Sequence, residues 1–223
     1  MSAVCWMTPW PSMMLRGKFI ALTFRKSPSI SIVRVYRVKI IKTLVGYLIS
    51  VKVTVLCASG NTSGCTHTLC GAFVDECRDR GHDAELIDLS ALDIEDCNGC
   101  GVCRKKGKCI LSDGSDVLFE KVENSDLVVL ATPIRFNGPS SIMKRFVDRL
   151  NPYWLSDKPH PSKVCGILCG GSPEPVFSHA LSELKSAAAT LRAEWAGELL
   201  VSDTDNNGCG KADVKAFADR IFS

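Results

Sequence analysis

Apolar residues from Lys52 to the end of the chain alternate between two spacings. Short runs rich in aliphatic and β-branched residues predict five strands, at "VKVTVLCAS", "AELIDL", "DLVVLATP", "KVCGILCGG" and "EWAGELLV". Between and after them, apolar residues recur every three or four positions and predict helices, at "THTLCGAFVDECRDRG", "SDVLFEKVENS", "SSIMKRFVDRL", "VFSHALSELKSAAATLR" and "KADVKAFADRIF". This alternation predicts an α/β fold, a doubly wound five-stranded parallel sheet with helices on both faces.

The first fifty residues do not share this alternation. They contain eight Lys or Arg and no Asp or Glu, and their longest charge-free apolar run extends only from Thr43 to Val51. A membrane-spanning helix needs about 20 apolar residues, so we expect no membrane partner. We predict an N-terminal extension over residues 1–50, either a misassigned start or a disordered arm, and one domain over residues 51–223.

The net charge of +3 is set by this extension. The rest of the chain carries 19 Lys or Arg against 24 Asp or Glu. No basic face with interleaved aromatic residues follows residue 50, whereas a nucleic-acid-binding surface requires one. We therefore expect no nucleic-acid partner.

The loop after the first predicted strand has the composition of a phosphate site. In a doubly wound sheet, ligands bind beyond the carboxyl ends of the strands, and "CASGNTSGCT" lies there. Its small hydroxylated residues and glycines lead directly into a helix, whose free backbone N–H groups attract phosphate oxygens. The loop lacks the lysine of G-x-x-x-x-G-K-[ST] and does not match G-x-G-x-x-G. The alternative is an ordinary polar turn.

The loops after the third and fourth strands carry a resemblance to a known family. The segment "TPIRFNGPSSIMKRFVDRL" resembles the signature of the flavodoxin-like NAD(P)H-dependent FMN reductase family, with matches at Pro133, Phe136, Lys144, Phe146, Asp148 and Arg149. The first loop resembles the phosphate loop of that family, and "CGGSPEP" resembles its turn beside the flavin ring. The matches run along residues 52–222.

The resemblance implies a flavodoxin-like fold that binds FMN. The residues that it implies for FMN binding are Ser59, Asn61, Ser63, Gly64, Thr66, Pro133, Ile134, Arg135, Phe136, Asn137, Gly138, Gly170, Gly171 and Glu174. Arg135 stands where the family usually has a tyrosine. An arginine there can lie flat on the flavin ring or offer its charge to a reduced flavin anion.

A cysteine-rich insertion, residues 93–112, follows the second strand. Its sequence "CNGCGVCRKKGKC" has the spacing C-x2-C-x2-C-x5-C, and a C-x2-C-x2-C opening is typical of thiolates that hold a [4Fe–4S] cluster. Structural zinc usually takes two C-x2-C pairs from separate segments. The loop resembles the iron–sulfur flavoprotein branch of the same family, which implies cluster ligands at Cys97, Cys100, Cys103 and Cys109. An empty, thiol-only or zinc-filled loop is the alternative.

The other cysteines in strand and helix patterns are predicted to be small core residues, at Cys57, Cys70, Cys77, Cys165 and Cys169. Twelve cysteines in one chain indicate a reducing interior, and therefore a cytoplasmic location.

Together these features predict an electron-transfer oxidoreductase that contains FMN and a [4Fe–4S] cluster. The resemblance implies ferredoxin or NAD(P)H as donor, a small-molecule acceptor and a homodimer or homotetramer. Because the cofactors supply the chemistry, we name no catalytic side chain. Two alternatives stay open: an NAD(P)H-dependent FMN or quinone reductase without a functional cluster, and a zinc-stabilised interaction module that has lost flavin.

Overall fold

The computed structural model describes residues 50–210 and 212–223. The strands are β1 (Lys52–Cys57), β2 (Asp83–Asp88), β3 (Leu127–Arg135), β4 (Gly138–Pro139), β5 (Lys163–Cys169) and β6 (Glu194–Val201). The helices are α1 (Cys65–Asp79), α2 (Cys103–Lys106), α3 (Ser115–Glu123), α4 (Ser141–Asp148), α5 (Asn151–Leu155), α6 (Ser178–Thr190), α7 (Thr204–Asn207) and α8 (Val214–Ile221), with a 3-10 turn at Leu89–Ala91. The prediction of an extension falls on residues outside this description, apart from Ser50, and stays a prediction.

Five of the strands form one parallel sheet in the order β2-β1-β3-β5-β6. Val55 of β1 lies opposite Leu86 of β2 on one side and Val129 of β3 on the other. From β1 the chain goes to one edge for β2 and returns to the other side for β3, so the strand order reverses between β1 and β3. The predicted doubly wound sheet is confirmed. The two-residue strand β4, which the sequence analysis did not predict, pairs antiparallel with the end of β3.

Both faces of the sheet are covered, because the central strands carry apolar residues at almost every position. Val53 and Val55 pack on the face covered by α1 and α8, while Leu56 packs on the opposite face with α3, α4 and α6. Residues on both faces of β3 are also buried, as expected for a strand inside a parallel sheet. Among the helices in the described ranges, none combines the length and apolar content that a bilayer span requires.

The cysteines predicted to be core residues are core residues. Cys57, Cys70, Cys77 and Cys165 are fully buried and Cys169 is 4% exposed. Burial raises the pKa of Cys77 to about 12, so this thiol stays protonated at neutral pH. These sulfurs therefore behave as small apolar side chains.

Candidate functional site

A cleft of about 410 Å³ lies at the carboxyl ends of β1, β3 and β5. It is lined by most of the residues predicted to bind FMN: Ser59, Asn61, Gly64, Thr66, Pro133, Ile134, Arg135, Phe136, Asn137, Gly170 and Gly171. The structure does not bring Ser63, Gly138 or Glu174 to its wall, and Glu174 is exposed to solvent. Three loops that are distant in sequence thus meet around one space, as the topology predicts.

The first of these loops presents free backbone N–H groups to the cleft. The side-chain oxygen of Asn61 accepts a hydrogen bond from the Ser63 N–H at 3.0 Å, and its carbonyl accepts from the Gly64 N–H at 3.0 Å. This turn delivers the chain into α1, whose N-cap Gly64 provides no side-chain cap. The N–H groups of the first helical turn therefore have no capping side chain, and both Cys65 and Thr66 line the cleft. Such a helix N-terminus can bind a phosphate group.

The second loop is a tight hairpin between β3 and β4. Its two turn residues, Phe136 and Asn137, have φ values of 49° and 67°, the left-handed region that a two-residue hairpin turn requires at both positions. Phenylalanine rarely adopts this conformation, and its side chain here is fully exposed. The Asn137 carbonyl accepts a hydrogen bond from the Ala180 N–H of α6 at 3.1 Å. Strained backbone held in place by neighbouring elements is characteristic of functional sites.

Ser140 joins the first loop to the second. Its buried hydroxyl donates to the Ala58 carbonyl at 2.8 Å, and its backbone N–H donates to the Thr132 hydroxyl at 2.9 Å. The same hydroxyl accepts from the Met143 N–H and so caps α4. One buried serine therefore fixes the spacing between the phosphate-type loop, the hairpin and the helix that follows.

The third loop is packed so closely that it requires glycines. A Cβ atom on Gly170 would lie 2.4 Å from Pro175, and one on Gly171 would lie 2.4 Å from a carboxylate oxygen of Asp205. The Gly170 carbonyl accepts from the backbone N–H of Thr204 at 3.1 Å, which ties this loop to the loop after β6. These closely packed segments all line the cleft.

Several residues line the cleft that the sequence analysis did not assign to it: Cys65, Cys169, Ser172, Pro175, Val176, Thr204 and Asp205. Thr204 and Asp205 come from "SDTD", which follows β6 at the same edge of the sheet. Applying the carboxyl-edge rule to the last strand as well would have found them.

A second cavity, of about 150 Å³, lies in the cysteine-rich insertion. All four cysteines predicted to be ligands line it: Cys97, Cys100, Cys103 and Cys109. Its other wall comes from the end of α4 and from α5, through Arg149, Asn151, Pro152 and Leu155 among others. The structure thus brings the four thiols around one small space.

Glycines between the cysteines allow this arrangement. Gly99 and Gly101 have φ values of 68° and 69°, and a Cβ atom on either would meet nothing within 4 Å. Backbone conformation, and not lack of space, therefore requires glycine at these two positions. The short helix α2 then begins at Cys103.

The four thiols surround the cavity without converging on one point. Across residues 50–210 and 212–223, no three His, Cys, Asp or Glu side chains come close enough together to hold a single metal ion. The cysteines of this part of the chain are all free. The amide nitrogen of Asn151 lies 3.9 Å from the Cys97 sulfur.

A buried ion pair lies beneath the cysteine loop. The Arg149 side chain is 1% exposed and contacts the Asp113 carboxylate, which is 5% exposed, at 2.7 Å. Burial alone would raise the pKa of Asp113, but hydrogen bonds from Arg149, from Ser115 and from the Glu95 N–H hold it well below its ordinary value. Asp113 is therefore a carboxylate at all moderately acidic and neutral pH values.

Comparisons with known proteins agree with this architecture. The model of the NADPH-dependent FMN reductase family matches residues 51–219. The chain belongs to this family. Because the match covers both the cleft and the cysteine loop, the resemblance found in the sequence is confirmed.

Curated relatives of the chain include iron–sulfur flavoproteins. One from Archaeoglobus fulgidus is 39% identical over 82 residues, 37% of each chain, and one from Methanocaldococcus jannaschii is 31% identical over 93 residues, 42% of this chain and 46% of the relative. The chain thus matches less than half the length of these two relatives. Within its family, the similarity is to the iron–sulfur flavoprotein branch.

Solved structures share the fold at low sequence identity. An NADH:FMN oxidoreductase in its apo form superposes with a TM-score of 0.56 at 18% identity, covering 78% of this chain and 87% of the other. An FMN-dependent NADH-azoreductase from Bacillus anthracis superposes with a TM-score of 0.55 at 12% identity, covering 77% and 100%. These likenesses show the flavodoxin-like fold.

We predict that Gly170→Ala disturbs the cleft. The added methyl group must displace Pro175, and such overpacking costs about 1 to 3 kcal/mol in the free energy of unfolding. We also expect weaker FMN binding, measured by flavin fluorescence quenching. Gly60→Ala is the matched control, because its Cβ would lie 3.7 Å from Ile142, an ordinary contact. Equal stability and equal affinity in the two variants would contradict the packing seen here.

A second prediction concerns the pH dependence of the Arg149–Asp113 pair. Removing one partner of a buried ion pair costs about 3 to 5 kcal/mol, so we expect Asp113→Asn to lower the free energy of unfolding by that amount at pH 7. The folded-state pKa of Asp113 is held well below its ordinary value of about 3.9, so the contribution is complete above that value, begins to fall below it and is fully lost only below the depressed folded-state pKa. Urea unfolding from pH 7 to pH 3 should therefore show a constant difference down to about pH 4 and a partial narrowing of that difference below it.

The control for this experiment is Asp96→Asn. Asp96 pairs with Arg145 on the surface, with side chains 84% and 39% exposed, and such pairs contribute about 0 to 1 kcal/mol. A gap between wild type and Asp113→Asn that stays constant with pH would mean that the carboxylate charge does not stabilise the fold.

Proposed function

We propose that this protein is a flavin-dependent oxidoreductase that binds FMN in the cleft and a [4Fe–4S] cluster in the cysteine cavity. In this role it moves electrons between a donor, ferredoxin or NAD(P)H, and a small-molecule acceptor. The observation that carries the proposal is the lining of one cavity by all four cysteines of the insertion, in a chain of the FMN reductase family.

The cleft suits FMN because one of its loops can bind a phosphate group and the other two can hold a flavin ring. The uncapped start of α1, with Ser59 and Thr66 beside it, offers N–H and hydroxyl donors to the phosphate. The hairpin at Arg135 and the glycine loop at Gly170 border the cleft from two other strands, where the ring of the flavin would be held. The protein thereby binds and orients the group, and the redox chemistry belongs to the flavin.

The cysteine spacing favours a cluster over a structural zinc ion. Structural zinc usually takes two C-x2-C pairs from separate segments. Here all four cysteines come from one short segment and line one cavity. Exposed cations in the last gap, Lys105, Lys106 and Lys108, place positive charge beside the thiolates and favour an anionic cluster.

Bound together, the two groups would link the one- or two-electron chemistry of a flavin to the one-electron chemistry of a cluster. In this chain α4 begins directly after the hairpin that borders the cleft, and its last residue, Asp148, lines the cysteine cavity. Its eight residues give a separation of roughly 12 Å between its two ends. This helix therefore connects the hairpin of the cleft to the wall of the cysteine cavity.

The proposal includes a homodimer or homotetramer in the cytoplasm. Apolar side chains are exposed at and beside the cysteine cavity, at Ile110, Trp154 and Leu155, and contact with another subunit would cover them. The free cysteines of the described chain fit a reducing compartment. The alternative function is an NAD(P)H-dependent FMN or quinone reductase without a functional cluster.

Cys100→Ser tests the cluster directly. We expect the variant to lose its iron and to keep its FMN, because the cysteine cavity and the cleft are built from separate loops. Iron and flavin are measured per chain after anaerobic purification, with Cys209→Ser as the control outside the insertion. Full iron content in Cys100→Ser would refute the cluster assignment, and wild-type protein with FMN but no iron would favour the alternative function.

Arg135→Tyr tests the electrostatics of the cleft. A guanidinium within a few ångströms stabilises a reduced flavin anion by on the order of 1 to 4 kcal/mol, depending on solvent screening. We therefore expect a more negative FMN potential in the variant, measured by anaerobic redox titration, with unchanged iron content. An unchanged potential in a variant that still binds FMN would mean that Arg135 points away from the ring.

A further inference from the structure

We propose that Arg149 is the positioning residue of the cluster loop: its guanidinium holds the two ends of the loop together and directs its remaining N–H at the sulfur ligands. This inference rests on the proposed function, because it assumes that the cavity holds a cluster. It concerns a residue that lies under the loop, outside the cysteine motif itself.

Arg149 contacts both ends of the loop. Its Nη1 donates to the Glu95 carbonyl at 2.8 Å and to the Asp113 carboxylate at 2.7 Å, and its Nη2 donates to the Ser115 hydroxyl at 2.8 Å. Glu95 precedes the first cysteine by two residues, and Asp113 follows the last by four. The same Asp113 carboxylate accepts from the Glu95 N–H at 2.9 Å, so the ends are also tied to each other.

One donor of the guanidinium is left without a partner. The Nε of Arg149 makes no hydrogen bond to any described residue. The side chain is only 1% exposed, so this N–H is buried as well. A buried unsatisfied donor is rare in folded proteins and calls for an explanation. Arg149 lines the cavity that the four cysteines line. A thiolate sulfur in that cavity is the acceptor that this N–H lacks.

Such a contact has a predictable effect on a bound cluster. Hydrogen bonds to cluster sulfurs and their ligands shift the reduction potential, and groups behind the ligands also determine how firmly a metal is held. Two other arginines of this region are more open to solvent than Arg149: Arg104, which lines the cavity, is exposed, and the partly exposed Arg145 pairs with Asp96 on the surface. Solvent screens their charge, while the charge of Arg149 is buried against Asp113.

The first test compares Arg149→Lys with Arg145→Lys in anaerobically prepared holoprotein. Both variants keep a positive charge, but lysine cannot reach all three acceptors and has no Nε–H. We expect Arg149→Lys to lose iron to a chelator several-fold faster and to show a more negative cluster potential, with unchanged FMN content. Arg145→Lys should match wild type. Wild-type rates and potential in a folded Arg149→Lys protein would overturn the proposal.

A second measurement uses the wild-type side chain and so does not depend on how well a variant folds. Protein grown with ¹⁵N-arginine is reduced, and pulsed EPR is used to detect nitrogen coupled to the paramagnetic cluster. We expect such a coupling in wild type and its persistence in Arg104→Lys and Arg145→Lys. Absence of a coupling in wild type, or its loss in either of these variants, would overturn the assignment to Arg149.

The role of Arg149 in holding the ends of the cysteine loop together can be tested in protein from which the iron has been removed. After iron is chelated, trypsin has its targets in the loop at Arg104, Lys105, Lys106 and Lys108. We expect cleavage there to be several-fold faster in Arg149→Lys than in wild type or in Arg145→Lys. Equal rates would refute the role in positioning. Wild-type protein without iron or a cluster signal would instead refute the proposed function, and the cleavage rates would still decide whether Arg149 holds the loop.

Discussion

The parallel pairing of β1 with β3 is the constraint on which both sites depend. These strands are buried on both faces, so their backbone groups must be satisfied within the sheet and their connections must pass over it as helices. The strand order reverses between them, so the connections that leave β1 and β3 run in opposite directions. A crevice therefore opens between the two loops at the carboxyl ends of these strands. The cleft is the direct result of that reversal, and α4 follows the hairpin that borders it.

Hydrogen bonds from buried polar side chains hold the loops of the two sites in fixed positions. Ser140 joins the loops after β1 and β3, and Arg149 joins the two ends of the cysteine loop. They lie at opposite ends of the same helix, since Ser140 is the N-cap of α4 and Arg149 is its C-cap. In a low-dielectric interior, a satisfied polar contact excludes alternative arrangements because breaking it leaves an unpaired buried group. One end of α4 is therefore anchored to the loops that border the cleft, and the other end is anchored to the two ends of the cysteine loop.

The two sites differ in the residue types that adopt a left-handed backbone conformation. The cysteine loop turns at glycines, for which a left-handed conformation has little cost. The hairpin at the cleft turns at Phe136 and Asn137, which are held in that conformation by pairing with β3 and by the contact to α6. The second arrangement holds the exposed aromatic ring of Phe136 at the edge of the cleft.

The sequence alone was enough to predict the five parallel strands, the five longer helices, their order and the chemistry of the candidate residues, but not the short elements β4, α2, α5 and α7. The alternating apolar spacings predicted all five parallel strands, because burial on both faces selects long aliphatic runs, and the cysteine spacing identified a ligand set within one short segment. Which residues of each loop reach the cleft depends on tertiary packing, which leaves Glu174 exposed to solvent and adds Thr204 and Asp205 from the segment after the last strand. It also placed Arg149 against Glu95 and Asp113, residues 54 and 36 positions away. Local spacing carries no information about such contacts, because they depend on how helices and loops pack across the sheet.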